Sequence, residues 1–392
     1  MNRIEEVKAA ITSGRVLKID STKKVAKKLA GHSASTATWA TNVGNEDGQV
    51  LMSVLTCQEG FGLGPMVRVI IDRYSMAGIP PPEVLYVDRD CCGDSIIRQM
   101  FLPWTDLQIR LDIWHFMRRF STGCTTDAHQ LYDVFMGRLF KSIFEWSSED
   151  LQNLRDAKRS ELLKKHIDPS TNDILSHLSK RELALHCHRQ TSGSQETTCL
   201  IGDLIEAFIG EQGLDTMGVP LFDKEKIMSI WESQKKHIAC IQDPEGFSIY
   251  TQVGFLKKGD VRLPIYRCAR GLASLESFHL HLARCIPDMH FQTYLLDGLV
   301  RWNEDRCQEV SKSFGAATYS GPLRHAVNDL SQSILAKKIV CDYQPPRRYT
   351  GEKIGVEYLY SQTGQVLHDF TLDPDNKASA QFESDGNVDT DD

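Results

Sequence analysis

Short apolar runs and helically spaced apolar positions alternate along the first 120 residues. Residues 16–19 are an apolar run ending on the carboxylate of Asp20. Residues 36–43 alternate, with Thr and Trp among them, and residues 50–57 form a third run. Asn45-Glu46-Asp47-Gly48 is a turn signal between the last two, so the three read as an antiparallel meander. Residues 65–76 carry helical spacing through Val67, Val69, Ile70, Ile71 and Tyr74, stopped by Pro80-Pro81-Pro82. Residues 84–87 form a buried-strand run that again ends on a carboxylate, Asp88. A short helix over 95–101 and an alternating strand over 107–113 follow. This order predicts an α/β fold with a mixed five-stranded sheet flanked by helices.

The pattern changes after residue 126. Residues 131–146, 148–166, 171–186, 198–210 and 224–242 all predict helices, with Ser147 as an N-cap before the acids Glu149 and Asp150. The stretch is nearly strand-free and reads as a separate all-helical body. Strand character returns at 247–253, and strong helices follow at 273–283 and 291–314, then a shorter one at 323–335. The expected divisions are 1–122 (first part of a core with five strands), 123–246 (all-helical insertion), 247–320 (return to the core), 321–368 (C-terminal extension) and 369–392 (an acidic disordered tail).

Composition narrows the function classes. The 392 residues are 41% hydrophobic and 25% charged, which is ordinary globular usage and excludes a fibrous or mostly disordered chain. The net charge of −7 excludes a wholly basic nucleic-acid-coating protein. From Phe370 onward seven acids face the single Lys377, a net −6, so the rest of the chain is near neutral. No run of about 18 apolar residues is present, so no membrane span is expected, nor is there a signal-peptide pattern. Eleven scattered cysteines without a Cys-x-x-Cys step predict free thiols in a reducing compartment.

Asp20 and Asp88 carry the chemistry. Each follows a predicted buried strand, where a carboxylate is costly unless hydrogen-bonded or metal-bound. In a β-β-β-α-β order the first and fourth strands are neighbours, which would set the two acids side by side. Two like charges that close repel, and a divalent cation is the common remedy. Glu276, in the first turn of the 273–283 helix, is the expected third acid; a dipole-favouring first-turn Glu is the simpler alternative. Asp90 and Asp94 could replace Asp88, but only Asp88 directly follows the apolar run.

Together, Asp20 in LKIDSTKK, Asp88 in VLYVDRDCC, the segment LDIWHFMRRF and Glu276 in SLESFHLHL resemble the catalytic domain of eukaryotic DDE transposases. The Zisupton/Dileera/Kyakuja type fits best and the Mutator-like type next. Asp112-Ile113-Trp114-His115 matches the Cys/Asp-x-x-His motif that follows the second acid in that group, and the resemblance covers residues 15–315. It implies an RNase H-like fold interrupted by a helical insertion. It further implies that Asp20, Asp88 and Glu276 bind two Mg²⁺ or Mn²⁺ ions for hydrolysis or strand transfer at a DNA phosphodiester. Asp112, His115 and His279 would support that site. Transposon-end or target DNA as partner, a homo-oligomer and a nuclear location go with it. The space before Asp20 is too short for the usual DNA-recognition module, so a truncated copy or a domesticated, non-catalytic DNA- or protein-binding descendant is the alternative expectation.

Weaker signals remain. Lys23, Lys24, Lys27 and Lys28, with Arg118 and Arg119, form basic clusters near the two strand ends and would contact phosphates; solvated helix faces are the alternative. Arg347 and Arg348 form a fainter pair. His186, Cys187, His188 and Cys199 offer zinc-ligand types at a non-standard spacing, so core or surface positions are the expectation for them.

Overall fold

The computed structural model describes residues 14–23, 39–56, 60, 62–126, 128–165, 168–283, 291–311, 321–337, 339 and 352–363. Lys24, Lys27, Lys28, Arg347, Arg348 and the acidic segment from 369 lie outside them.

Five strands form one mixed sheet. β1 (Val16–Thr22), β2 (Trp39–Asn45) and β3 (Val50–Thr56) are successive antiparallel neighbours. β4 (Val84–Val87) lies parallel to β1, and β5 (Gln108–Leu111) parallel to β4, giving the order β3-β2-β1-β4-β5. All four residues of β4 are buried, as a central parallel strand with both faces covered requires. β1 is buried from Val16 to Asp20 although Lys18 and Asp20 are ionisable. Being two residues apart, these two side chains share one face of the sheet.

α1 (Gly64–Ala77) carries the chain from β3 to β4 and buries Met66, Val67, Ile70 and Tyr74. Pro65 opens it, and Gly78 closes it at φ 66, a left-handed cap that glycine adopts without steric cost. After the short α2 (Ile96–Met100), β5 leads straight into α3 (Ile113–Arg119). The fifth strand is shorter than its alternation predicts. Asp112 turns out of the ladder and caps α3, accepting a bond from His115 N–H.

The helical region comprises α4 (Tyr132–Ile143), α5 (Ser148–Lys164), α6 (Thr171–Ser176), α7 (Lys180–His186), α8 (Ser194–Ile209) and α9 (Lys224–Lys235). It differs from the sequence expectation in three ways. Between its helices, β6 (Phe144–Trp146) and β7 (Arg189–Thr191) pair antiparallel, so the region is not strand-free. The 171–186 helix is two helices, because Ser170 with Asp173 and Ser179 with Glu182 each build a capping box and start a new turn. Nor does the region stand apart: Phe116 and Phe120 join Trp231, Phe135 and Phe208 in one apolar core continuous with the sheet.

The return to the sheet comes later than residue 247. β8 (Tyr250–Lys258) and β9 (Val261–Cys268) form a hairpin that packs on α5 and α7. Leu263 is buried with Leu154, Ala157 and Cys187, Lys258 meets Glu182 and Glu161, and Pro264 O lies 2.6 Å from His186 Nδ1. α10 (Ala273–Ala283) then packs on β1 and β2. α11 (Phe291–Ser311) closes on β3, where Asn303 bonds both N–H and C=O of Val50. α12 (Gly321–Leu335) follows, and α13 (Val356–Thr363) lies beside β3. Gly355 bridges Ser53 and Leu55, which covers backbone that an edge strand would otherwise expose. No helix among the described residues is long and apolar enough to cross a membrane.

Candidate metal centre and active site

Asp20 is 2% exposed, near the C-terminal end of β1. Its Oδ1 accepts a bond from Ser21 N–H at 2.9 Å, while its buried Oδ2 has no hydrogen-bond partner. Asp88 follows β4. The parallel register pairs Lys18 with Tyr86, so Asp20 and Asp88 stand two residues further along neighbouring strands, at the same level.

α10 crosses the sheet above Asp20. Leu275 packs on Gly44, and Ser274 Oγ accepts a bond from Lys18 Nζ at 3.3 Å. This seating places Glu276 and His279, one turn apart, over the strand end. His279 Nδ1 lies 3.6 Å from Asp20 Oδ2 and 3.9 Å from Glu276 Oε2. His279 Nε2 is buried without a partner. The Glu276 side chain is 44% exposed, so it forms the outer rim of a site whose floor is Asp20.

His115 enters from α3. Its Nδ1 is 2.9 Å from Asp112 Oδ2, and its Nε2 is 3.5 Å from Glu276 Oε1. Asp112 is itself fixed, because its Oδ1 accepts a bond from Leu272 N–H at 3.0 Å. That contact needs the neighbouring Gly271, at φ 75, where a Cβ would stand 2.6 Å from Asp112 Oδ1. Asp112 thus joins the start of α3 to the loop before α10 and sets the ring of His115.

The electrostatics follow from burial. Loss of hydration, with the charges of Glu276 and Asp88, pushes Asp20 up to about 8. Burial also raises Asp88 above the usual carboxylate range, against the pull of Arg89 and His115. Glu276 is lowered, chiefly by the neighbouring imidazole of His279. Burial alone would lower His115, but Asp112, Asp20 and Asp88 outweigh it and raise it. On the same face, burial lowers Lys18 to about 8.

Asp20, His115 and Glu276 each offer one atom within 4.8 Å of the others. An O, N, O donor set with a buried, unpartnered carboxylate oxygen suits a divalent cation. The ligand set expected from sequence was Asp20, Asp88 and Glu276. The structure draws His115 into the tight group and leaves Asp88 beside it. The alternatives Asp90 and Asp94 are exposed.

The basic residues divide. Arg119 is committed inward, donating to Asp88 O at 2.7 Å and to Gln234 Oε1 at 2.9 Å. Arg118 is exposed over the ring of Trp114, which is itself 53% exposed, and Lys23 lies over Trp39. His186, Cys187, His188 and Cys199 do not converge: His188 pairs with Asp150, Cys187 is buried and Cys199 is exposed. A cavity of about 720 Å³, lined by Lys18, Asp47, Arg267, Arg270, Ser274 and Arg306 among others, opens beside α10 but is lined by none of Asp20, Asp88, His115 and Glu276.

Lys18 and Gly271 were not singled out from sequence. A lysine inside the apolar run VLKI was the available signal for the first; nothing local marked the second. Comparison of the chain with protein-family models, curated proteins and solved structures returns no match.

Proposed function

We propose that this chain is a metal-dependent polynucleotidyl transferase of the DDE transposase type, with an RNase H-like sheet, acting on DNA phosphodiesters. The observation that carries the reading is Asp20. It is a buried carboxylate with one oxygen unpartnered, at the strand end beside Asp88, faced by Glu276 and His115. A purely structural Asp at that depth would have its acceptors satisfied. The strand order, with parallel β1, β4 and β5 beside an antiparallel meander, supports the RNase H-like part.

Asp20 and Glu276, with His115 and the adjacent Asp88, would hold one or two Mg²⁺ or Mn²⁺ ions. Such ions supply a neutralising charge, activate water or a DNA 3′-OH, and stabilise the leaving oxygen. The remaining work falls to the chain. Asp112 holds His115 Nδ1, so that Nε2 is the nitrogen turned towards Glu276. His279 sits between the two acids and draws Glu276 into its charged form. Trp114 and Arg118, exposed on the first turns of α3, offer a stacking face and a cation to a nucleic-acid strand entering the site.

The test is nicking of supercoiled DNA by purified protein with Mn²⁺ or Mg²⁺. Activity is expected with the ion and absent with EDTA, and Asp20→Asn should lower it by about 10³-fold or more. Activity that survives Asp20→Asn would overturn the assignment. An inactive wild type that binds DNA would favour a non-catalytic binding protein on the same fold.

A further inference from the structure

Four other ligand-type side chains meet just beyond the end of β4. Cys91 and Cys92 follow Asp88 by three and four residues. His237 and Cys240 come from the turns that continue α9. His237 Nδ1 lies 3.2 Å from Cys91 Sγ and 3.0 Å from Cys92 Sγ. Cys92 Sγ is 3.2 Å from Cys240 Sγ and 3.6 Å from Cys91 Sγ. One atom from each of the four lies within 4.8 Å of all the others.

We propose that Cys91, Cys92, His237 and Cys240 form a structural Zn²⁺ site of the three-cysteine, one-histidine class. A tetrahedral zinc with Zn–S of about 2.3 Å and Zn–N of about 2.0 Å sets its ligand atoms about 3.5–3.8 Å apart. The four separations above, 3.0–3.6 Å, need to open by about half an ångström or less. A Cys92–Cys240 disulfide would need the sulfurs to close to about 2.05 Å. Three soft thiolates and an imidazole select zinc over magnesium, and four protein ligands leave no open position for catalysis.

The backbone is shaped for this convergence. Neighbouring residues in an extended chain point apart, yet the Cys91 and Cys92 sulfurs turn to one place. Asp90 at φ 54 and Gly93 at φ 57 bend the chain on either side of the pair. Aspartate and glycine are residues that tolerate the left-handed region, so both positions suit these bends. On the other side, Cys240 N–H bonds to His237 O at 2.9 Å, so a single turn aims both side chains the same way.

The site ties the loop after Asp88 to the end of α9. Arg119 makes a second tie between the same parts, through Asp88 O and Gln234. A zinc here would steady the Asp88 side of the carboxylate cluster and leave Asp20 untouched. The proposal stands whether or not the chain cleaves DNA.

Metal analysis of the full chain, purified without chelator or reductant from zinc-supplemented medium, tests it. The expected result is about one zinc per chain, falling below about a tenth of that in a Cys92→Ser, Cys240→Ser double variant, as zinc sites held by thiolates require. Cys199→Ser and Asp20→Asn should each retain the ion. If the double variant does not fold, Co²⁺ exchange into wild type decides, with thiolate-to-cobalt charge-transfer absorption expected. Wild type lacking both zinc and that absorption would overturn the proposal. So would full metal content in the double variant, or a Cys92–Cys240 disulfide in the purified protein.

Discussion

Two buried charged sites, one on α1 and one near the end of β1, are treated in opposite ways. Arg73 of α1 pairs with Glu352 through two contacts and donates a third bond to Leu51 O at 2.7 Å; both side chains are almost inaccessible. Both of these charges are answered from within the fold. Asp20 is as deeply buried, yet the groups around it include two more carboxylates, and its Oδ2 accepts no hydrogen bond, with His279 Nδ1 standing 3.6 Å away. A closed pair locks α1 to the C-terminal segment. An open cluster of acids is unfavourable by itself and becomes favourable when a cation enters. That contrast separates structural from functional charge here more sharply than depth of burial.

Removing one partner of the closed pair should have the larger effect on folding. Glu352→Ala leaves the Arg73 guanidinium buried and unpaired and is expected to cost about 3–5 kcal/mol, read from denaturant unfolding. A cost below about 1 kcal/mol would mean that the pair is solvated and the comparison fails.

The open cluster should respond in the other direction. Folded Asp20 titrates near about 8, against about 3.9 in the unfolded chain. The native state therefore keeps a proton that the unfolded chain releases. The stabilisation is complete below about pH 4 and is lost as pH rises to about 8. Asp20→Asn removes this titration. In metal-free buffer the variant should be more stable than wild type by about 1–3 kcal/mol at pH 8 and should lose that advantage at pH 4. Identical pH profiles for the two proteins would contradict it.

Asp112→Asn tests the edge of the open cluster. Asparagine offers one acceptor oxygen where Asp112 uses two, one for Leu272 N–H and one for His115, so a buried donor is left unpaired and stability should fall by about 1–3 kcal/mol. The charge that raises His115 is also gone, and its pKa, followed by NMR, should fall. An unchanged His115 titration would show that Asp112 does not set that ring.

Much of the sheet is legible in the sequence, because each strand is a short apolar run and two of them end on acids. The β4 run VLYV and the Asn45–Gly48 turn place four strands and their order. The helix at 273–283 stands where its periodicity puts it, with Glu276 in the first turn. Less legible is the β8–β9 hairpin, which is mostly half-exposed and lacks a clean apolar face; only Lys258-Gly259-Asp260 marks its turn. The break between α6 and α7 was written in the two Ser-x-x-acid steps but masked by continuous helical spacing. Long-range convergence is what a single chain hides most. Cys91 and Cys240 are 149 positions apart, and a search for Cys-x-x-Cys passes over His237-x-x-Cys240. His115 joins Asp20 and Glu276 only because Gly271 lets the loop before α10 reach Asp112.

The central claim is that Asp20 is kept open for a divalent cation. Titration calorimetry of Mn²⁺ into the metal-free protein at pH 7, repeated in two buffers of different ionisation enthalpy, measures it directly. The account predicts saturable binding with release of about one proton, since Asp20 must ionise to ligate, and no such binding in Asp20→Asn. Wild type that binds no Mn²⁺, or Asp20→Asn that binds it equally tightly, would contradict the account.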